Sequence, residues 1–427
     1  MPCLENNLAS KNCLDFTTQS TSDSDRIRRQ KMKQALVIHP IMDFLAGGEF
    51  LCLHVCKTLQ ELDYNVTLAS ETFDPSALER MYGMGRVMEN CSHIRIPEFK
   101  PVNRRFQSAQ RLLYSRRIWP MFLDIDASVV FSTQSSPFFV RAPKLFHFVY
   151  SANDLFGYPP EASPFVKYAS KHSFKAPYYL LYQQIKENFW RKHYSRPSQF
   201  FAIGSRVLAD LRQHGYWNSS LLFPPCRTTF SPRLPKKKRV IQVARVIPDK
   251  KLELFAKIAE KLPEYEFLLV GRDLTLVKNR LPRGYSESVL ASMPSNVTYV
   301  ESPLRARPEL LEESRVFLYT GCEAGIVLSV VEGIAAGCIP LSPKGVGAAD
   351  IIESSGEGFT YSSIEDAVEK IRKILESDFT AEQAFRISQK ANLFAPEVFE
   401  RQIKDAVEQN SWKFTRTPAT GVVRQPD

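Results

Sequence analysis

A chain of 427 residues that is 44% hydrophobic and 24% charged is too apolar to be wholly disordered and longer than one hydrophobic core usually serves, so two domains are expected. Its formal net charge of +10 favours anionic partners such as phosphates, acidic lipids or nucleic acid. No apolar run approaches the roughly 18 residues of a membrane-spanning helix. The opening stretch, "MPCLENNLASKNCLDFTTQSTSDSDRIRRQKMKQ", has no apolar core and reads as a disordered leader over residues 1–33 rather than a secretory signal.

The first domain is expected over 34–222. It opens with a strand at "QALVIHP", passes through a helix from Glu49, and returns to a strand at "NVTLAS". Between them "AGGEF" sets Gly47 and Gly48 before the helix, where backbone N–H groups can meet a phosphate or a sugar. A tight turn is the plainer reading of the same two glycines. Cys52 and Cys56 stand four apart with His54 between them, but a zinc site wants four ligands, and small buried cysteines are common. None of the eight cysteines forms a CxxC pair, and such scattered thiols point to a reducing, cytoplasmic setting.

Prolines and basic residues in "LLFPPCRTTFSPRLPKKKR" mark a linker, placed at 223–238. The second domain, 239–395, repeats the scheme: strand "RVIQVAR", helix "KKLELFAKIAEKL", strand "EFLLVG", strand "NVTYVES", helix "ARPELLEES", strand "VFLYT", a helix from about Ile326, and strand "CIPLSP". Strands alternating with helices over short links imply parallel sheets covered on both faces, an α/β architecture. Ligands of such sheets sit at the carboxyl ends of the strands, here in a cleft between two domains. A helix at 396–410 is expected to return to the first domain, ahead of a disordered tail at 411–427.

Three stretches of the second domain carry candidate chemistry. In "VARVIPDKK", Arg245 follows a strand and Lys250 begins the next helix; two converging cations suit a diphosphate, with solvated surface charge as the alternative. In "EAGIVLSVVEGIAAGCIP", Glu332 sits in an apolar helix, where an unpaired carboxylate is expensive. A carboxylate there can accept from both hydroxyls of a ribose. In "PKGVGAAD", Asp350 stands where a dinucleotide fingerprint needs a third small residue, so a Rossmann dehydrogenase is set aside.

Together these stretches resemble the retaining GT-B glycosyltransferases, over roughly residues 34–410. The resemblance implies a Gly-Gly loop at Gly47 and Gly48, an Arg-x4-Lys clamp at Arg245 and Lys250, and a ribose-holding Glu332 within "VVEGIAAGCIP". It further implies donor contacts at Gly271 and Gly325. The family's first glutamate falls at Ala324 by spacing, and Glu323 is the nearest carboxylate, one residue further out. A histidine is expected at the end of a first-domain strand; His147 in "KLFHFVYSAND" is the candidate, with a core role as the other reading. The function implied is transfer of a mannose- or glucose-type sugar from a nucleoside-diphosphate donor to a glycan or lipid-linked acceptor, with no metal or other cofactor. The displaced Glu323 keeps open a non-catalytic homologue acting as a sensor or scaffold.

Two basic, aromatic stretches bear on the acceptor. Residues 99–120 hold Arg104, Arg105, Arg116 and Arg117 among Phe, Leu, Tyr and Trp, and 165–194 interleave lysines with tyrosines. Such surfaces suit an anionic membrane, with an ordinary solvated face as the alternative. No nucleic-acid-binding motif is present.

Overall fold

The structure, a computed structural model, describes residues 33–42, 47–100, 110, 113–114, 117–122, 125–134, 142–151, 198–272, 285–302, 308–323 and 325–408. The first domain is a seven-stranded sheet in the order β3-β2-β1-β4-β5-β6-β7, and every pairing is parallel. Its strands are β1 (Lys33–Ile38), β2 (Tyr64–Ser70), β3 (Ser92–Arg95), β4 (Val129–Ser132), β5 (Lys144–Val149), β6 (Ser198–Ala202) and β7 (Ser219–Leu221). The second is a six-stranded parallel sheet in the order β10-β9-β8-β11-β12-β13. These strands are β8 (Lys237–Val243), β9 (Glu266–Gly271), β10 (Val297–Glu301), β11 (Ser314–Leu318), β12 (Ile339–Pro343) and β13 (Phe359–Tyr361). The expected architecture of two doubly wound α/β domains is therefore present.

Central strands buried on both faces read as continuous apolar runs, because neither face meets water. On β1, Val37 joins one core with Leu51 and Val55 of the Gly47–Glu61 helix, while Leu36 and Ile38 join the other with Ile118 and Phe122. The second sheet is likewise sandwiched: Phe317 packs with Val331 and Ile334 on one side, Val316 and Leu318 with Phe255 and Ile371 on the other.

The Pro396–Glu408 helix leaves the second domain and packs Phe399, Ile403 and Val407 into the core of the first. There Glu400 receives a hydrogen bond from Lys57 at 2.7 Å and lies 2.6 Å from His54 Nδ1. Cys52 and Cys56, read beside His54 as a remote metal possibility, are fully buried members of the same core.

The linker differs from the expectation. Strand β8 already begins at Lys237, and Cys226 is buried in the second core, its N–H donating to Phe394 O at 2.8 Å. The segment is a packed strap, held also by buried Lys236, whose ammonium donates to Glu312 O at 2.7 Å. Lys33 is likewise part of β1 and not of the leader; the remainder of the leader and the tail at 411–427 lie outside the described residues. Among the described residues no helix is long and apolar enough to cross a membrane.

Candidate functional site

The carboxyl ends of the two sheets face one another. Gly325, in the turn before the Leu328–Ala335 helix, lies so close to the first domain that a Cβ there would come within 2.9 Å of Tyr150 O and of Ile203 Cδ1. Gly47 similarly abuts Leu328, and a Cβ on Gly48 would stand 3.4 Å from the Tyr150 hydroxyl and 3.5 Å from His39. The Gly47–Gly48 pair and Gly325 thus share one seam. The first-domain helix begins at Gly47, two residues earlier than the sequence suggests.

Arg245 and Lys250 occupy the loop after β8, but not as the start of a helix. Lys250 closes a short 3-10 turn, Pro248–Lys250, and the helix begins only at Leu252. Lys251 between them has a φ of +46°, a left-handed conformation that costs a non-glycine residue about 1–2 kcal/mol. This reversal turns Lys250 inward and leaves Lys251 exposed. Thr320 fixes the turn by donating its hydroxyl to Lys250 O at 2.8 Å, with the Gln242 side-chain amide 3.0 Å away.

Lys250 forms an ion pair with Glu323, and its ammonium lies 5.3 Å from the centre of the Tyr319 ring. Burial pulls the Lys250 pKa down and neighbouring Arg245 adds to this, while Glu323 opposes both. The carboxylate therefore favours the charged form of a cation that burial would otherwise neutralise. Arg245 itself is exposed at the cleft edge. The clamp residues and Glu323 are thus brought together, despite the one-residue displacement of that glutamate.

Glu332 is half-buried on the Leu328–Ala335 helix, one turn beyond Leu328 and so on the side that reaches the Gly47 loop. Its carboxylate lies near the Cys226 thiol, which burial, and then Glu332, push well above the ordinary value. Its small neighbours serve packing: a Cβ added at Gly333 would come within 2.6 Å of the Phe317 ring, so glycine lets the helix approach β11.

Packing accounts for the size of one expected site residue and revises the place of another. Gly271 ends β9, and a Cβ there would overlap Ala244 O, so its small size serves the seam between β8 and β9. His147 lies within β5 rather than at its end, and it is 0% exposed with its ring edge-on to Phe200 at 5.9 Å. Burial drives its pKa down to about 3. A neutral, enclosed imidazole cannot meet a substrate, so His147 belongs to the core. Tyr150 follows the end of that strand instead.

The sequence reading missed a polar cluster beneath Gly48. His39 Nδ1 lies 2.9 Å from Thr133 Oγ1, and the Tyr150 hydroxyl donates to Thr133 O at 3.0 Å. Their places immediately after β1, β4 and β5 were the available signal. A cleft of about 450 Å³ opens along the carboxyl edge of β11–β13 between Lys251, Lys344, Tyr361 and Ser362; Thr320 and Gly321 line it, though none of the expected site residues does. Arg104, Arg105, Arg116 and the 165–194 stretch lie outside the described residues, whereas Arg117 is exposed.

Residues 228–393 match the family described as glycosyl transferases group 1. Three solved structures illustrate the likeness in fold. HepE of Anabaena, in complex with UDP and glucose, is 13% identical with a TM-score of 0.60, covering 88% of this chain and 99% of its own. Sucrose-phosphate synthase of Thermosynechococcus elongatus is 14% identical with a TM-score of 0.62, over 88% and 98%. WaaG, a glycosyltransferase involved in lipopolysaccharide biosynthesis, is 14% identical with a TM-score of 0.59, over 88% and 99%. A search of curated protein sequences returns no match. The shared architecture is GT-B, two Rossmann-like domains across a cleft.

Proposed function

We propose that this chain, whose residues 228–393 match the glycosyl transferases group 1, moves a mannose- or glucose-type sugar from a nucleoside-diphosphate donor with retention at the anomeric carbon. The observation that carries this reading is the pairing of Lys250, in the loop after β8, with Glu323, which follows β11 and stands two residues before Gly325 of the inter-domain seam, with Arg245 nearby. Arg245 and Lys250 would stabilise the charge that grows on the departing diphosphate, an electrostatic role that calls on no metal ion. Glu332 would accept from the ribose hydroxyls, and the leaving phosphate would help deprotonate the acceptor. HepE, crystallised with UDP and glucose, supports a nucleotide-sugar in a cleft of this kind.

A glycan or lipid-linked acceptor is favoured by two observations. WaaG acts in lipopolysaccharide biosynthesis, and Leu113 (66% exposed) and Met121 (39% exposed) flank exposed Arg117. Apolar side chains beside basic ones suit the surface of an anionic membrane on its cytoplasmic side. Replacing Arg104, Arg105, Arg116 and Arg117 with Ser would then release the protein from anionic vesicles, and equal binding to neutral and anionic vesicles would remove the membrane from the reading.

The deciding experiment is a thermal-shift screen against nucleoside diphosphates, followed by release of nucleoside diphosphate from donor sugars into water. A ligand selective for the folded state must raise the apparent stability. Glu332→Gln should weaken donor binding more than it slows the bound complex. Binding without any release would favour a sensor or scaffold, and the absence of both would overturn the assignment.

A further inference from the structure

Tyr319, immediately after β11, is 0% exposed, and its polar groups are engaged, its N–H donating to Leu341 O at 2.8 Å. Its backbone oxygen accepts from the Tyr361 hydroxyl at 3.0 Å. Its own hydroxyl donates to Glu323 Oε2, while Glu323 Oε1 pairs with Lys250, whose ammonium lies over the Tyr319 ring. The two carboxylate oxygens are therefore divided between the tyrosine and the lysine. Glu323 is fixed at its backbone as well, where its carbonyl accepts from Gly347 N at 2.8 Å. Gly321 completes the arrangement: a Cβ there would overlap both the Tyr319 hydroxyl and Glu323 Oε2, so only glycine lets the two meet.

We propose that Tyr319 is a positioning residue for the diphosphate clamp, holding Glu323 and Lys250 as a preassembled pair so that the ammonium meets the donor diphosphate ionised and already aimed. The proposal rests on the nucleotide-sugar reading above. Glu323 is 29% exposed at its side chain and, without the tyrosine hydroxyl, is free to turn toward water. Lys250 would then lose its counter-ion in a site where burial and Arg245 both disfavour its charge. A phenylalanine would fill the same space and keep the ring under the ammonium, so packing alone does not explain the hydroxyl. Preorganised charge matters most where charge develops, which places the expected loss in kcat rather than in donor KM.

The test is a four-corner cycle on the full chain: wild type, Tyr319→Phe, Glu323→Ala and the double variant. Affinities for UDP, GDP and ADP are measured together with kcat and KM for release of nucleoside diphosphate from the matching donor sugars, and melting temperature monitors folding. Tyr319→Phe should lower kcat about tenfold, the worth of one hydrogen bond to a charged group. It should do nothing further in the Glu323→Ala background, since it acts through that carboxylate. Gly321→Ala, which leaves Tyr319 in place but drives its hydroxyl from Glu323, should reproduce the loss and keeps the question open to test if Tyr319→Phe folds poorly. Wild-type kcat in Tyr319→Phe, or losses that multiply in the double variant, would overturn the positioning role alone. A wild-type protein that neither binds a nucleoside diphosphate nor releases one would overturn the parent reading, and this proposal with it.

Discussion

Asp350 of the second domain caps the helix that Ser205 opens in the first. Its Oδ2 accepts from Ser205 N at 2.6 Å and its Oδ1 from Ser205 Oγ at 2.6 Å. The Ser205–Gln213 helix has Gly204 at its N-cap and no capping side chain of its own, so the carboxylate that satisfies its first amide is supplied across the cleft. Arg206 adds a hydrogen bond to Gly345 O at 3.2 Å. In the sequence Asp350 appears only as the residue that spoils a glycine fingerprint. The fold gives it a different task, holding the carboxyl edges of two sheets together.

Asp350→Ala should therefore loosen the closed cleft rather than unfold either domain. A lost N-cap costs about 1 kcal/mol, and this pair is exposed enough for salt to weaken it further. Amide hydrogen exchange across 205–213 should speed up, and Asp350→Asn should recover part of the protection because it still offers one acceptor. Exchange unchanged from wild type would show that the helix does not depend on its neighbour.

The clamp gives a second prediction. Arg245→Ala and Lys250→Ala should each cost about 2–4 kcal/mol of transition-state stabilisation, read from kcat/KM for donor turnover. They should differ in stability. Arg245 is exposed and its removal should leave the melting temperature unchanged, whereas removing buried Lys250 strips Glu323 of its counter-ion and should lower it. Near-normal turnover in both variants would place the diphosphate elsewhere.

Strands β1, β2, β5 and β8 to β12 were legible because a buried parallel strand is a short apolar run, as at "VIQVA", "FLLVG" and "VFLYT", whereas β3, β4, β6, β7 and β13 were not picked out. The same property hid the sidedness of β5. Burial on both faces leaves no alternation between apolar and polar residues, so the sequence does not say whether His147 faces a core or ends a strand. Arg245, Lys250 and Glu323 were legible as cations and a carboxylate at strand ends. Their contact was not, since it depends on the left-handed turn at Lys251, which no residue type there announces. The small residues around Glu332 suggested a ligand, yet Gly333 answers to Phe317. Contacts made across domains, such as Asp350 with Ser205, leave no local pattern at all.

Gly271 separates packing from ligand binding. A Cβ at this position meets a backbone oxygen, Ala244 O, which cannot rotate away, so Gly271→Ala should cost about 1–3 kcal/mol by overpacking. Gly47→Ala meets only the end of the flexible Leu328 side chain and should cost less. Urea denaturation gives both values. A stable Gly271→Ala protein with weakened nucleotide binding would place Gly271 at the donor as well.

His147 predicts how stability depends on pH. Burial lowers its pKa from 6.5 to about 3 in the folded chain, so between those values the unfolded state takes up a proton that the folded state refuses. Stability must then fall as pH drops from 6.5 toward 3, by at most about 1.4 kcal/mol per pH unit from this residue. His147→Phe keeps a flat ring beside Phe200 and removes the titration. The variant should gain on the wild type steadily through that acid window, and its donor turnover near neutral pH should match the wild type because the ring lies outside the cleft. Parallel stability curves for the two proteins would mean that the folded imidazole accepts its proton normally. A collapse of turnover in a stable variant would restore His147 to the reaction.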